Sequence, residues 1–136
     1  MTRLIVPGWE RLRDAVRNGR DEVYPSYHDY LNEAKSPEWT ARRRLWVREW
    51  FEVMSYAPTC LVCHRDWTLS DDLHHRTYLH LGAEFFTDLV PLCHDDHVKM
   101  HELFERDPSY LRAGRLHATA LVIGELRDSH ATERVQ

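Results

Sequence analysis

Histidine is over-used in this chain of 136 residues: there are ten, and four of them fall at spacings that could do chemistry. In His97-Val98-Lys99-Met100-His101 two imidazoles stand at i and i+4, one turn apart on one helix face, where both reach a single ion. Taken alone, such a pair is as readily solvated surface. His74 and His75 are adjacent in a segment with strand character, and neighbouring strand residues point to opposite faces. One of them can therefore join an ion while the other faces the substrate side. A neutral imidazole with a pKa near ~6.5 is suited to taking a proton from water at neutral pH, so ligand and base are the two roles on offer.

The three cysteines add a second constellation. In a reducing compartment, thiols that cluster in sequence read better as metal ligands than as a disulfide framework. Cys60-Leu61-Val62-Cys63 is a C-x-x-C, and Cys93 stands at the mouth of the histidine-bearing helix. These resemble three corners of a structural zinc site. A regular second knuckle would put the fourth at position 96, occupied by Asp96, with His94 and His64 as other candidates. The competing reading is that the thiols are simply buried and reduced. A zinc ion here would fasten the segment before the first strand to the start of the histidine helix.

These groups need a scaffold, and the length fits one domain of 1–136, with 43% hydrophobic and 29% charged residues typical of a globular chain. An N-terminal helical extension is expected over 1–56. It holds an amphipathic helix at 9–20, a turn and short helix in 21–35, and a longer helix from Pro37 to about Tyr56, opened by Ser36-Pro37 and closed by Pro58. Trp39, Leu45, Trp46, Trp50, Phe51 and Met54 would form its apolar side, with the arginines opposite. The core is expected at about 57–105: a short strand near Leu69 to Tyr78, a loop through Gly82, a strand at 88–91, and a helix from Cys93 to about Glu105, stopped by Asp107-Pro108. An amphipathic helix follows at about 110–128, with a frayed tail.

In this order, Cys60-x-x-Cys63, Leu73-His74-His75-Arg76-Thr77-Tyr78, Gly82, Asp88-Leu89-Val90-Pro91-Leu92-Cys93 and His97-x-x-x-His101 resemble the HNH endonuclease family, over about Trp39 to Leu103. The resemblance implies an α+β, mostly helical fold, with a ββα-metal core between flanking helices. It implies that His74, His97 and His101 hold a catalytic divalent ion and that His75 is the general base. Asp88 stands where the family usually has the asparagine that braces the loop and orients the base; an aspartate accepts such bonds but donates none unless protonated. Arg76 is close enough to meet the substrate phosphate, with a surface role as the equal alternative. The implied reaction is hydrolysis of a phosphodiester in DNA to a 5′-phosphate and a 3′-hydroxyl. Three imidazoles favour Zn²⁺, Ni²⁺ or Mn²⁺ over Mg²⁺, which prefers oxygen. The structural zinc would rest on Cys60, Cys63, Cys93 and Asp96.

The implied partner is DNA. A net charge of −4 is low for a broad nucleic-acid footprint, but Arg11, Arg13, Arg17 and Arg20, then Arg42, Arg43, Arg44 and Arg48, are clustered and can supply local positive faces, an ordinary salted helix surface being an equal reading of each cluster alone. A catalytically weak or inactive zinc module of the same fold, binding DNA or a protein, is the alternative. A hydrolase acting on another phosphate ester is a third reading. The tryptophan-rich helix carries more aromatics than one small core needs, which would suit a homodimer that cuts two strands. No stretch approaches ~20 consecutive apolar residues, and the start lacks a signal peptide, so no membrane partner and a cytoplasmic setting are expected.

Overall fold

A computed structural model of the chain describes residues 30–32 and 36–135. The helix expected at 9–20, most of the one expected within 21–35, and the arginines from Arg11 to Arg20 lie outside these residues. The fold is α+β and mostly helical. It divides into two compact units, one comprising the described residues up to Tyr56 with Tyr78–Asp88, the other Ala57–Thr77 with Leu89–Gln136. Among the described residues no helix is long and apolar enough to cross a membrane.

The first unit is organised by helix α1, Pro37–Met54. Ser36 Oγ accepts the Trp39 amide at 3.1 Å, Pro37 opens the first turn, and Ser55 ends the helix in a left-handed conformation (φ 65°) with its N–H on Phe51 O. Trp39, Arg42, Arg43, Trp46, Glu49 and Trp50 form the buried stripe. Arg42 and Arg43 were expected on the opposite side to the tryptophans, but their i+3 and i+4 spacing from Trp39 places them inside that stripe. Burial is possible because Arg42 is paired: its Nη1 meets Glu49 Oε1 at 2.5 Å and its Nε donates to Glu84 O at 2.9 Å. Burial pushes the Glu49 carboxyl up, against the pull of Arg42. Phe51, expected on the apolar side, is 49% exposed.

The loop 78–88 completes this unit. It folds through the turn bonds Ala83 N–H to His80 O and Asp88 N–H to Phe85 O, with Gly82 at φ 87°, where a side chain would be strained. Tyr30 donates its hydroxyl to the buried Glu84 carboxylate at 2.9 Å, and Phe86 stacks on Trp46 with centroids 5.9 Å apart.

The second unit begins with a tight turn. The Cys60 amide donates to Arg65 O and the His64 amide to Cys60 O, each at 2.9 Å, with His64 in the left-handed region at φ 65°. Strand β1 is Asp72–His75 and β2 is Leu89–Leu92; they pair antiparallel, with His74 opposite Val90 and His75 opposite Leu89. β1 is shorter than the expected span at both ends; it starts late because the Asp71 carboxylate caps a turn at Thr68 N. Helix α2, His94–Arg106, follows β2 directly, with Cys93 as its N-cap. A single turn, α3 (Ser109–Arg112), and Gly114 at φ 96° precede the last helix, α4, Arg115–Val135. α4 therefore starts later than expected and runs well past Asp128. Its stripe of Ala118, Val122, Ile123 and Leu126 packs into a core with Leu92, Met100 and Phe104.

Candidate metal centres

Two clusters in the second unit converge as metal sites do. In the first, β1 contributes His74 and α2 contributes His97 and His101. His74 Nδ1 lies 3.4 Å from His97 Nε2, which lies 3.0 Å from His101 Nε2. Zn–N bonds of 2.0–2.1 Å in a tetrahedron would separate ligand nitrogens by about 3.3 Å, so the spacing fits one ion.

The outward nitrogens are held as well. His97 Nδ1 is 3.0 Å from Asp72 Oδ2, which fixes that nitrogen as the N–H and leaves Nε2 its lone pair. His74 Nε2 is 3.0 Å from Thr119 Oγ1 on α4. Metal-ligating histidines usually have such partners, which set the tautomer and the ring orientation. Burial, reinforced by the charge of Arg115 and then by the neighbouring histidines, holds His74 well below the usual imidazole range. Burial, His97 and then Arg115 bring His101 down to about 4. Both rings are thus neutral, as ligands must be. Burial disfavours the charge of Asp72, but hydrogen bonds from His97 and His94 outweigh it and lower its carboxyl.

In the second cluster Cys60, Cys63, Cys93 and Asp96 each offer one ligand atom, all within 4.8 Å of one another. Cys63 Sγ and Cys93 Sγ are 3.9 Å apart, and Asp96 Oδ2 lies 3.3 Å from Cys60 Sγ and 3.1 Å from Cys93 Sγ. Tetrahedral zinc with Zn–S near 2.3 Å and Zn–O near 2.0 Å gives about 3.8 Å between sulfurs and about 3.5 Å from sulfur to oxygen. All three cysteines are free thiols. Burial raises the thiols of Cys63 and Cys93 above the ordinary range, so an ion would have to displace their protons. Of the three candidates for the fourth ligand, Asp96 converges here. His94 turns instead to Asp72, 2.9 Å from its Nδ1, and His64 is exposed.

The other oxygen of Asp96 is engaged too: Oδ1 is 3.0 Å from His130 Nε2 on α4. Burial works against the Asp96 charge, but the bond from His130 and those from the thiols hold its carboxyl low.

His75 is buried, on the strand face opposite His74, and its carbonyl accepts Arg115 Nε at 2.7 Å. Arg76 is half-buried. Asp88 belongs to the first unit, where its Oδ2 accepts the Phe85 amide at 2.9 Å and meets His80 Nδ1 at 2.8 Å, so it braces its own loop.

Sequence reasoning passed over Asp72, Thr119, Arg115 and His130. Asp72 left a signal, since it stands at i−2 from His74 and shares its strand face. The other three come from α4 and left none. The chain matches no protein-family model, no curated protein and no solved structure.

Proposed function

We propose that this protein is a divalent-metal-dependent endonuclease of the HNH type, hydrolysing phosphodiester bonds in DNA, with a ββα-metal core formed by β1, β2 and α2. The observation that carries the reading is the convergence of His74 Nδ1, His97 Nε2 and His101 Nε2, with Asp72 and Thr119 on the outward nitrogens of two of the rings. Three imidazole ligands would suit Zn²⁺, Ni²⁺ or Mn²⁺ better than Mg²⁺. The ion, when bound, would supply Lewis-acid stabilisation of the charge that builds on the phosphate.

His75 is the proposed general base. As the water oxygen bonds to phosphorus, its proton passes to the imidazole; the bond from phosphorus to the 3′ oxygen breaks and that oxygen takes a proton from solvent, leaving a 5′-phosphate and a 3′-hydroxyl. Arg76 is proposed to meet the substrate phosphate. The cluster of Cys60, Cys63, Cys93 and Asp96 is proposed as a structural zinc site that fixes the first turn of α2, from which His97 projects. With one histidine cluster per chain among the described residues, a double-strand cut would call for two copies or two encounters.

Plasmid nicking by the purified chain with Zn²⁺, Ni²⁺, Mn²⁺ and Mg²⁺ tests the reading. His75→Ala should keep fold and bound metal and lose cleavage; a variant that cuts at the wild-type rate rules out His75 as the base. One observation favours a second reading, a non-catalytic zinc module that binds DNA or protein: the Asp88 carboxylate is taken up by His80 and Phe85 of its own loop. Absence of nicking with every ion, alongside a gel shift of DNA, would select it.

A further inference from the structure

Arg115 is the first residue of α4, and it stands where a helix ordinarily prefers an acid, because the exposed amides there carry partial positive charge. The first turn of α4 contains no acidic residue. A cation placed against the local preference invites a reason outside the helix.

Its surroundings supply one. Arg115 Nε donates to the carbonyl of His75, the residue after the ligand His74, at 2.7 Å. Its Cζ lies 5.9 Å from the centroid of the Phe104 ring, which is itself 5.9 Å from the His101 ring and 6.3 Å from the His74 ring. One turn further along α4, Thr119 hydrogen-bonds to His74 Nε2, so the i and i+4 positions of one helix face both meet the strand that carries His74. The guanidinium thus donates through Nε to the strand that carries His74 and packs on the Phe104 ring that borders His74 and His101.

We propose that Arg115 is a substrate-contacting residue, its guanidinium binding a non-bridging oxygen of the phosphodiester held at the histidine cluster. This rests on the endonuclease reading above. A divalent ion held by the histidines, with a guanidinium across the shared Phe104 ring, would create a positive field that an anion relieves, and the planar fork of arginine matches the paired oxygens of a phosphate. Anchoring through Nε leaves little side-chain freedom to lose on binding, which makes the contact effective as charge builds on the phosphate.

The test uses the full chain loaded with Co²⁺, whose visible absorption reports the ligand set. Arg115→Gln keeps a donor for the His75 carbonyl and removes the charge; Arg115→Lys keeps the charge and loses the fork. Arg115→Gln should retain the Co²⁺ spectrum, bind inorganic phosphate at least tenfold more weakly, and nick plasmid roughly 100-fold more slowly. Arg115→Lys should fall between it and the wild type, and millimolar guanidinium should restore part of the rate to Arg115→Ala. Wild-type phosphate affinity and rate in Arg115→Gln would overturn the proposal. So would loss of the Co²⁺ spectrum in both Arg115→Gln and Arg115→Lys, which would make the residue a brace for β1. If the wild type cleaves no phosphodiester, the endonuclease reading fails, while the phosphate titration still decides the role of Arg115.

Discussion

His130 Nε2 sits 3.0 Å from Asp96 Oδ1, a contact that spans 34 positions of sequence. It gives the one carboxylate among three thiols a fixed orientation, with Oδ2 turned to the sulfurs and Oδ1 turned to α4. His130→Ala should weaken zinc at this cluster about tenfold, by analogy with outer-sphere partners elsewhere. His130→Gln, which keeps a donor, should recover part of the loss. Competition against a chelator measures both, and equal affinity in all three proteins would show that the contact does not tune the site.

Metal analysis of the purified chain should find two ions, one per cluster. Cys60→Ser and His97→Ala should each retain one, and the Co²⁺ form should lose its sulfur charge-transfer bands only in Cys60→Ser. Removal of both ions with a chelator should lower the melting temperature. One ion in the wild type would mean that only one cluster is a metal site.

Asp72→Asn tests the brace behind His97. The change preserves shape but removes the charge that receives His97 Nδ1, and the expected cost is about 10- to 100-fold in affinity at the histidine cluster. Co²⁺ titration reads it, with Cys60→Ser as background so that a single site is seen. Thr119→Val, which removes only a neutral partner of His74, should cost less than Asp72→Asn.

Arg42 predicts the largest stability effect in the first unit. Arg42→Ala would strip Glu49 of its buried partner and should cost about 3–5 kcal/mol in a urea melt. Arg42→Met should cost less, because it fills the space and also removes the buried Nη2, which has no partner among the described residues. A cost within about 0.5 kcal/mol for Arg42→Ala would show that the pair contributes little.

What could be read from the chain is what local geometry controls. The i, i+4 spacing of His97 and His101 is a property of one helix, and the division of His74 from His75 is a property of one strand. Cys60, Cys63, Cys93 and Asp96 follow knuckle spacing, and the cluster forms with all four. Arg42 and Arg43 were misplaced because charged side chains were assumed to face water, and the partner that allows Arg42 inside, Glu49, sits two turns away on the same stripe. Thr119 and His130 could not be read at all. Their roles depend on how α4 docks on α2 and β1, which is a matter of packing and leaves no periodic trace.

Asp96 and His97 are sequence neighbours on α2, yet one belongs to the sulfur-rich cluster and the other to the histidine cluster. A single peptide bond thus joins the two candidate ligand sets, and successive helical residues differ in direction by about 100°. With an ion in each cluster, the first turn of α2 would have two independent fixed points and no freedom of rotation between them. A one-residue insertion or deletion between Cys93 and His97 would swing one ligand set away whichever way the helix adjusted, so this short stretch should tolerate substitution far better than any change of length.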